Sequence, residues 1–237
     1  MKNLILGSIL IMAAVFASTT FKPNVSNPAS FSAGSVVFTT EVKADSGSAM
    51  EDQAQMMDGM EMTMKFKGKK FRMDVNMAMM KTNIITKDGE EIYMLLNGMG
   101  QKMAIKCAKK DLKKLSKLKG ETKTETYVAT TETKKILGYS CKKYTSTTEV
   151  DGKKYINVIW TTEAITASAE LMNSSNEGLK GFPLETFSYN KGLKSHMLAT
   201  KVSKDVPADT DFEVPAGYDV KTIDELMQSM PGGGAGE

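Results

Sequence analysis

Methionine is the residue type in this chain best placed to do unusual chemistry. Nineteen occur in 237 residues, and thirteen of them fall between Met50 and Met103. The stretch MEMTMKF, residues 60–66, sets a thioether at every second position and ends the row with Phe66. A period of two is one face of a β-strand. Sulfur on such a face suits two chemistries. Thioethers are soft ligands for Cu(I) or Ag(I). They are also flexible, polarizable wall material for an irregular apolar guest. Same-face neighbours along a strand stand about 6.8 Å apart, too far for two sulfurs to share a metal bonded at about 2.3 Å. Cross-strand neighbours, with Cβ atoms about 4.5–5.5 Å apart, are close enough. The candidate metal ligands are therefore the pairs Met60 with Met77 and Met64 with Met73. Phe66, Phe71 and Val75 continue the same face and ligate nothing, which favours the wall. Its candidate residues are Met62, Met64, Phe66, Phe71, Met73 and Val75, with Trp160, the one indole, either lining the cavity mouth or merely packed. The same face also suits a plain packed core, which differs only in leaving no space over.

The other reactive residues are few. Cys107 and Cys141 are the only cysteines, and in an oxidising compartment they form either one disulfide or two separately buried thiols. His196 is the only histidine, and it sits in a strand pattern on the face of Leu198. Asp88 and Asp151 precede glycines and read as turn residues. There is no Gly-rich phosphate loop, paired-His metal motif or Ser nucleophile elbow. A non-enzymatic protein without a cofactor is expected. The net charge is only +3 and Arg72 is the single arginine, which argues against nucleic acid. Eight lysines against Asp111 between Lys102 and Lys119 make either a solvated helix face or a patch for transient contact with a membrane surface.

These residues need elements to hold them. Lys2 and the apolar run Leu4–Ala17 predict a secretory signal peptide over 1–17, too short for a comfortable membrane span. The product is expected to be periplasmic or secreted. Residues 18–30 read as a flexible leader, and 226–237, ending PGGGAGE, as a flexible tail. Between them hairpins dominate. A two-residue turn at Gly68-Lys69 pairs Phe66 with Phe71, Met64 with Met73, Met62 with Val75 and Met60 with Met77. Lys65–Arg72, Thr63–Asp74 and Glu61–Asn76 fall on the other face, and a one-residue slip would scramble both. Further hairpins turn at Asp88-Gly89, Asn97–Gly100, Gly138, Asp151-Gly152 and Asn190–Gly192. Helices are expected over 109–119, 162–175 and 222–230.

FKGKKFRMDVN, NIITKDGEEIYMLL and GFPLETFSYNKGLKSHMLATKVSKDVPADTDFEVPAGYDV together resemble the periplasmic lipoprotein-carrier (LolA-like and LolB-like) superfamily. KKILGYSCKKYTST and INVIWTTEAI resemble a narrower family of exported bacterial proteins, domain of unknown function family 4412. The resemblance spans 31–225. It implies a mainly β fold, a curved antiparallel sheet forming an incomplete barrel with a few helices across its mouth. It also implies an apolar concave face that holds a lipid or acyl group. The carriers have an Arg-Pro step where this chain has Lys67-Gly68.

Overall fold

The opening hairpin forms in the expected register. In the computed structural model, which describes residues 28–77, 80–98, 100–111, 125–150, 152–167, 176–190 and 192–229, β2 (Glu61–Lys67) pairs with β3 (Lys70–Met77). Met62 lies opposite Val75, Met64 opposite Met73 and Phe66 opposite Phe71. Gly68 takes φ 59°, the left-handed geometry a two-residue hairpin turn needs and glycine adopts without strain. The ladder ends at Glu61–Asn76. Met60 lies just outside it, its carbonyl accepting from the Thr40 amide at 3.0 Å, so Met60 and Met77 do not form the strand pair that the sequence pattern predicts.

Before this hairpin come β1 (Ala33–Ala44) and α1 (Glu51–Met57). After it come β4 (Met80–Thr86), β5 (Glu91–Gly98) and β6 (Gln101–Ala108). Then follow β7 (Glu125–Thr126), β8 (Val128–Ile136), β9 (Tyr139–Val150) and β10 (Lys153–Thr162). The chain continues through β11 (Asn176–Glu177), β12 (Phe182–Asn190), β13 (Leu193–Ser203), β14 (Asp219–Thr222) and α2 (Ile223–Ser229). Twelve strands form one sheet in the order β14-β6-β5-β4-β3-β2-β1-β13-β12-β10-β9-β8, and β7 and β11 make a separate parallel ribbon. All ladders of the large sheet are antiparallel except β14 on β6. The strands on either side of each predicted turn pair as antiparallel neighbours. Asp88 caps its own, its Oδ1 accepting from the Glu90 and Glu91 amides at 2.8 and 3.0 Å.

The sheet curls strongly but stays open, with β14 and β8 as its two ends. Strands in a sheet stand about 4.8 Å apart, so β2 and β12, three ladder steps away, would be about 14 Å apart if flat. Yet the Phe66 and Phe182 rings lie 5.8 Å centre to centre. The face bearing Met62, Met64 and Phe66 is therefore the inner, concave one. The chain after β13 recrosses the opposite, outer face. There Phe212, fully buried, packs on Ile85, Leu95 and Ala104. Lys65 pairs with Asp211 at 2.6 Å, and Lys67 and Lys70 both reach Asp209.

Two predicted helices differ. Lys109–Asp111 is a short 3-10 turn, and the rest of the 109–119 segment lies outside the described residues. Residues 163–167 are not helical. The Ala164 carbonyl accepts from the Phe31 amide and the Phe31 carbonyl from the Thr166 amide, both at 3.0 Å. These bonds hold the backbone extended, with Ile165 buried at a parallel bridge to Phe31; residues 168–175 lie outside the described set. The third helix forms as α2. Thr222 Oγ1 accepts from the Glu225 amide, and the Glu225 carboxylate accepts from the Thr222 amide at 2.7 Å, the reciprocal cap coded by TIDE. The helix runs to Ser229, past the boundary at 225 drawn from sequence, because Ile223 and Leu226 pack on Ile92, Ile105 and Cys107. The signal peptide over 1–17 and most of the leader lie outside the described residues.

Candidate functional site

The inner face divides in two. From β2 across β1 and β13 to β12 it is closed. Phe66, Phe38 and Phe182 have no exposed surface, and Met64 and Phe71 keep 2% each. Their rings meet in tilted pairs, Phe31–Phe66 at 5.8 Å and Phe38–Phe182 at 6.4 Å. Val36, Leu184 and Ala199 complete the packing. Of the wall residues read from sequence, Met62, Met64, Phe66, Phe71 and Trp160 are buried in this cluster, while Met73 and Val75 lie at its partly buried margin. Trp160 carries the Lys134 ammonium 4.4 Å from its ring centre and that of Lys143 at 5.8 Å. None of the seven wall residues lines either of two cavities of ≈ 400 Å³ each.

From β3 to β6 the same face is only partly covered. The register carries it without interruption. Met73 lies opposite Ile84, Ile84 opposite Met94 and Met94 opposite Ile105. One residue pair along, Val75 lies opposite Thr82, Thr82 opposite Leu96 and Leu96 opposite Met103. Ile84, Met94, Leu96 and Met103 all keep part of their surface exposed, as Met73 and Val75 do. Met80, at the end of the strip, is 41% exposed. Four strands thus present a largely apolar, methionine-bearing strip beside the closed core, with Thr82 within it and Ile84, Met94, Leu96 and Met103 packed in part against the cluster under α2. Ile84, Met94, Leu96 and Met103 were visible in the sequence as apolar residues. Only the ladder shows that they share the face of Met73.

The remaining candidates settle differently. Cys107 and Cys141 are both free, buried thiols. One lies in β6 under α2 and the other in β9, with eight strands between β6 and β9 in the sheet order. Of the two alternatives read from sequence, the disulfide is thus not the one formed. Burial pushes the Cys107 thiol up, and that of Cys141 up to about 11, so neither is an activated nucleophile. Of the thioether pairs, only Met64 and Met73 face each other across a ladder. Among the described residues, no three His, Cys, Asp or Glu side chains group to hold a metal. In the lysine-rich stretch, Lys106 is paired with Glu91 at 2.7 Å and Lys102 lies 6.0 Å from the Tyr218 ring centre. Lys113, Lys114, Lys117 and Lys119 lie outside the described residues.

Polar chemistry gathers at two places, of which sequence reading saw only His196. Glu125, on the β7 ribbon, accepts from Tyr127, Ser146, Thr148 and Asn157 at 2.8–3.1 Å. Burial raises its pKa, but these four donors outweigh that and hold it below the ordinary value. His196 bridges toward the buried Glu185, Nε2 to Oε1 at 3.1 Å, and Glu185 also pairs with Lys134. His196 lines the first cavity, on the outer face, with Tyr155, Ile156, Phe187, Tyr189 and Lys43. The second cavity lies between Pro28, Cys141, Thr162 and Glu163.

The fold and face together define the class: an open, curved, mainly antiparallel half-barrel with an apolar inner face. Residues 49–176, more than half the chain, match the family model of the domain of unknown function DUF4412, and the chain belongs to that family. The curated proteins gave no match. Among solved structures, the chain is similar to the Mycobacterium tuberculosis lipoprotein LppX, at 11% identity and a TM-score of 0.34, covering 73% of this chain and 88% of that one. A likeness that low says nothing of what this chain binds. Among the described residues no helix is long and apolar enough to cross a membrane.

Proposed function

We propose that this chain is an exported, non-enzymatic binding protein that shelters an acyl chain or a comparable apolar group, as an envelope carrier of lipid does. The observation that supports this is the partly exposed strip from Met73 and Val75 through Ile84, Met94 and Leu96 to Met103. The guest lies along the strip, against the wall of Phe71 and Met64. Binding is burial: each CH₂ removed from water contributes about 0.8 kcal/mol. Methionine suits the task because its unbranched thioether reshapes around a flexible chain.

Protein purified from its native envelope and extracted with organic solvent is expected to yield acyl lipid by mass spectrometry. The double variant Met94→Asp, Met103→Asp is expected to keep the wild-type circular dichroism spectrum and lose the lipid. A wild-type protein that carries no lipid and fails to take up a fluorescent fatty acid overturns the proposal.

A further inference from the structure

We propose that the outer face holds a second, separate binding site, a groove that takes a flat aromatic ring bearing an anionic group. The groove, ≈ 400 Å³, lies over β1, β13, β12 and β10 on the side opposite Phe38 and Val42. That volume falls within the range of ligand pockets, about 300–1,000 Å³. Its floor is apolar where a solvent-facing surface is expected to be polar: Ile156 is 68% exposed and Phe187 39%. Phe187 lies flat on His196, rings 4.1 Å apart and 6° from parallel, with Val158 its partner on the neighbouring strand, and its exposed edge faces the groove. Tyr155 and Tyr189 form a second stack, 3.4 Å apart and 9° from parallel.

Both stacks are pinned before any ligand arrives. His196 is held by Glu185 at 3.1 Å, and the Tyr189 hydroxyl donates to Asp45 at 2.6 Å. Preorganised planar walls favour a rigid ring over a flexible chain, since less ordering is left to be done on binding. The charges select the sign. Lys194 is answered by Asp45 at 2.7 Å, and Glu41 comes within 4.0 Å of His196. Lys43, on the same rim, has no ionic partner among the described residues. A ligand anion seated at Lys43, on the far side from the exposed Glu41 carboxylate's contact with His196, completes it. This site lies on the opposite face from the strip, so it does not depend on the carrier reading.

Calorimetric titration with 2-naphthalenesulfonate, and with the uncharged 2-naphthol, tests it. Saturable binding of the sulfonate is expected. Phe187→Ala with Ile156→Ala weakens both probes about tenfold, the loss of one good aromatic contact. Lys43→Glu weakens the sulfonate about fivefold, as for an exposed ion pair, and leaves 2-naphthol unchanged. Met94→Asp, on the inner strip, changes neither. The proposal is overturned if the sulfonate does not bind at millimolar concentration, if the Phe187→Ala, Ile156→Ala variant binds as wild type, if Lys43→Glu is without effect on it, or if Met94→Asp abolishes binding.

Discussion

The two halves of this sheet are closed on opposite sides. In β1, β2, β13 and β12 the inner face is sealed, with Phe38, Phe66 and Phe182 fully buried, while the outer face carries an exposed Phe187 beside an exposed Ile156 on neighbouring β10. In β4, β5 and β6 the outer face is sealed, with Ile85, Leu95 and Ala104 at or near zero exposure beneath Phe212. There the inner face keeps Ile84, Met94, Leu96 and Met103 partly exposed. Both inner faces carry methionine and aliphatic side chains, and the phenylalanines gather in the closed one. Coverage separates the halves. The curl brings Phe182 onto Phe66, and the chain after β13 crosses only β2 to β6, locked by Asp209 and Asp211.

Large-to-small substitutions measure that coverage. Phe66→Ala, in the sealed inner core, and Phe212→Ala, in the sealed outer layer, are each expected to lower the unfolding free energy by about 3–5 kcal/mol in urea titrations. A cost under about 1 kcal/mol for either would mean that its half is not closed where the comparison needs it. Met94→Ala removes three heavy atoms, against six for Phe66→Ala, from the partly exposed strip and is expected to cost under about 2 kcal/mol, below the range for a buried methionine. A cost equal to that of Phe66→Ala would erase the distinction between the halves.

The smallest effect is electrostatic. Hydrogen bonds from Lys70 and Lys67 lower the Asp209 carboxyl from 3.8 to about 2. A group depressed on folding contributes stability above its unfolded value, so this contribution is whole above about pH 4 and is lost as pH falls toward 2. Asp209→Asn is expected to flatten the wild-type fall in melting temperature across that window, and salt to weaken the wild-type effect, since these pairs are exposed. An acid transition identical in both proteins removes this pair from what holds the outer layer down.

Much of the framework was legible because hairpins are local. Gly68 and Lys69 fix a turn, and alternation then fixes the register of seven residues on each side. TIDE wrote the start of α2 in the same short-range terms. The 162–175 segment was misread at its start because its helical pattern competes with Phe31, more than 130 residues earlier, which claims the backbone of Ala164 and Thr166. The disulfide was undecidable for the same kind of reason, since spacing along the chain carries no distance across twelve strands.

By itself, then, the sequence determined which residues alternate, where the chain turns back and which face of the first hairpin is oily, because each of these depends on neighbours a few residues away. Only the tertiary structure decided which oily surface is filled and which stays partly exposed. That depends on where a curled sheet meets itself and where the returning chain lies, and both are set by contacts between residues far apart in sequence.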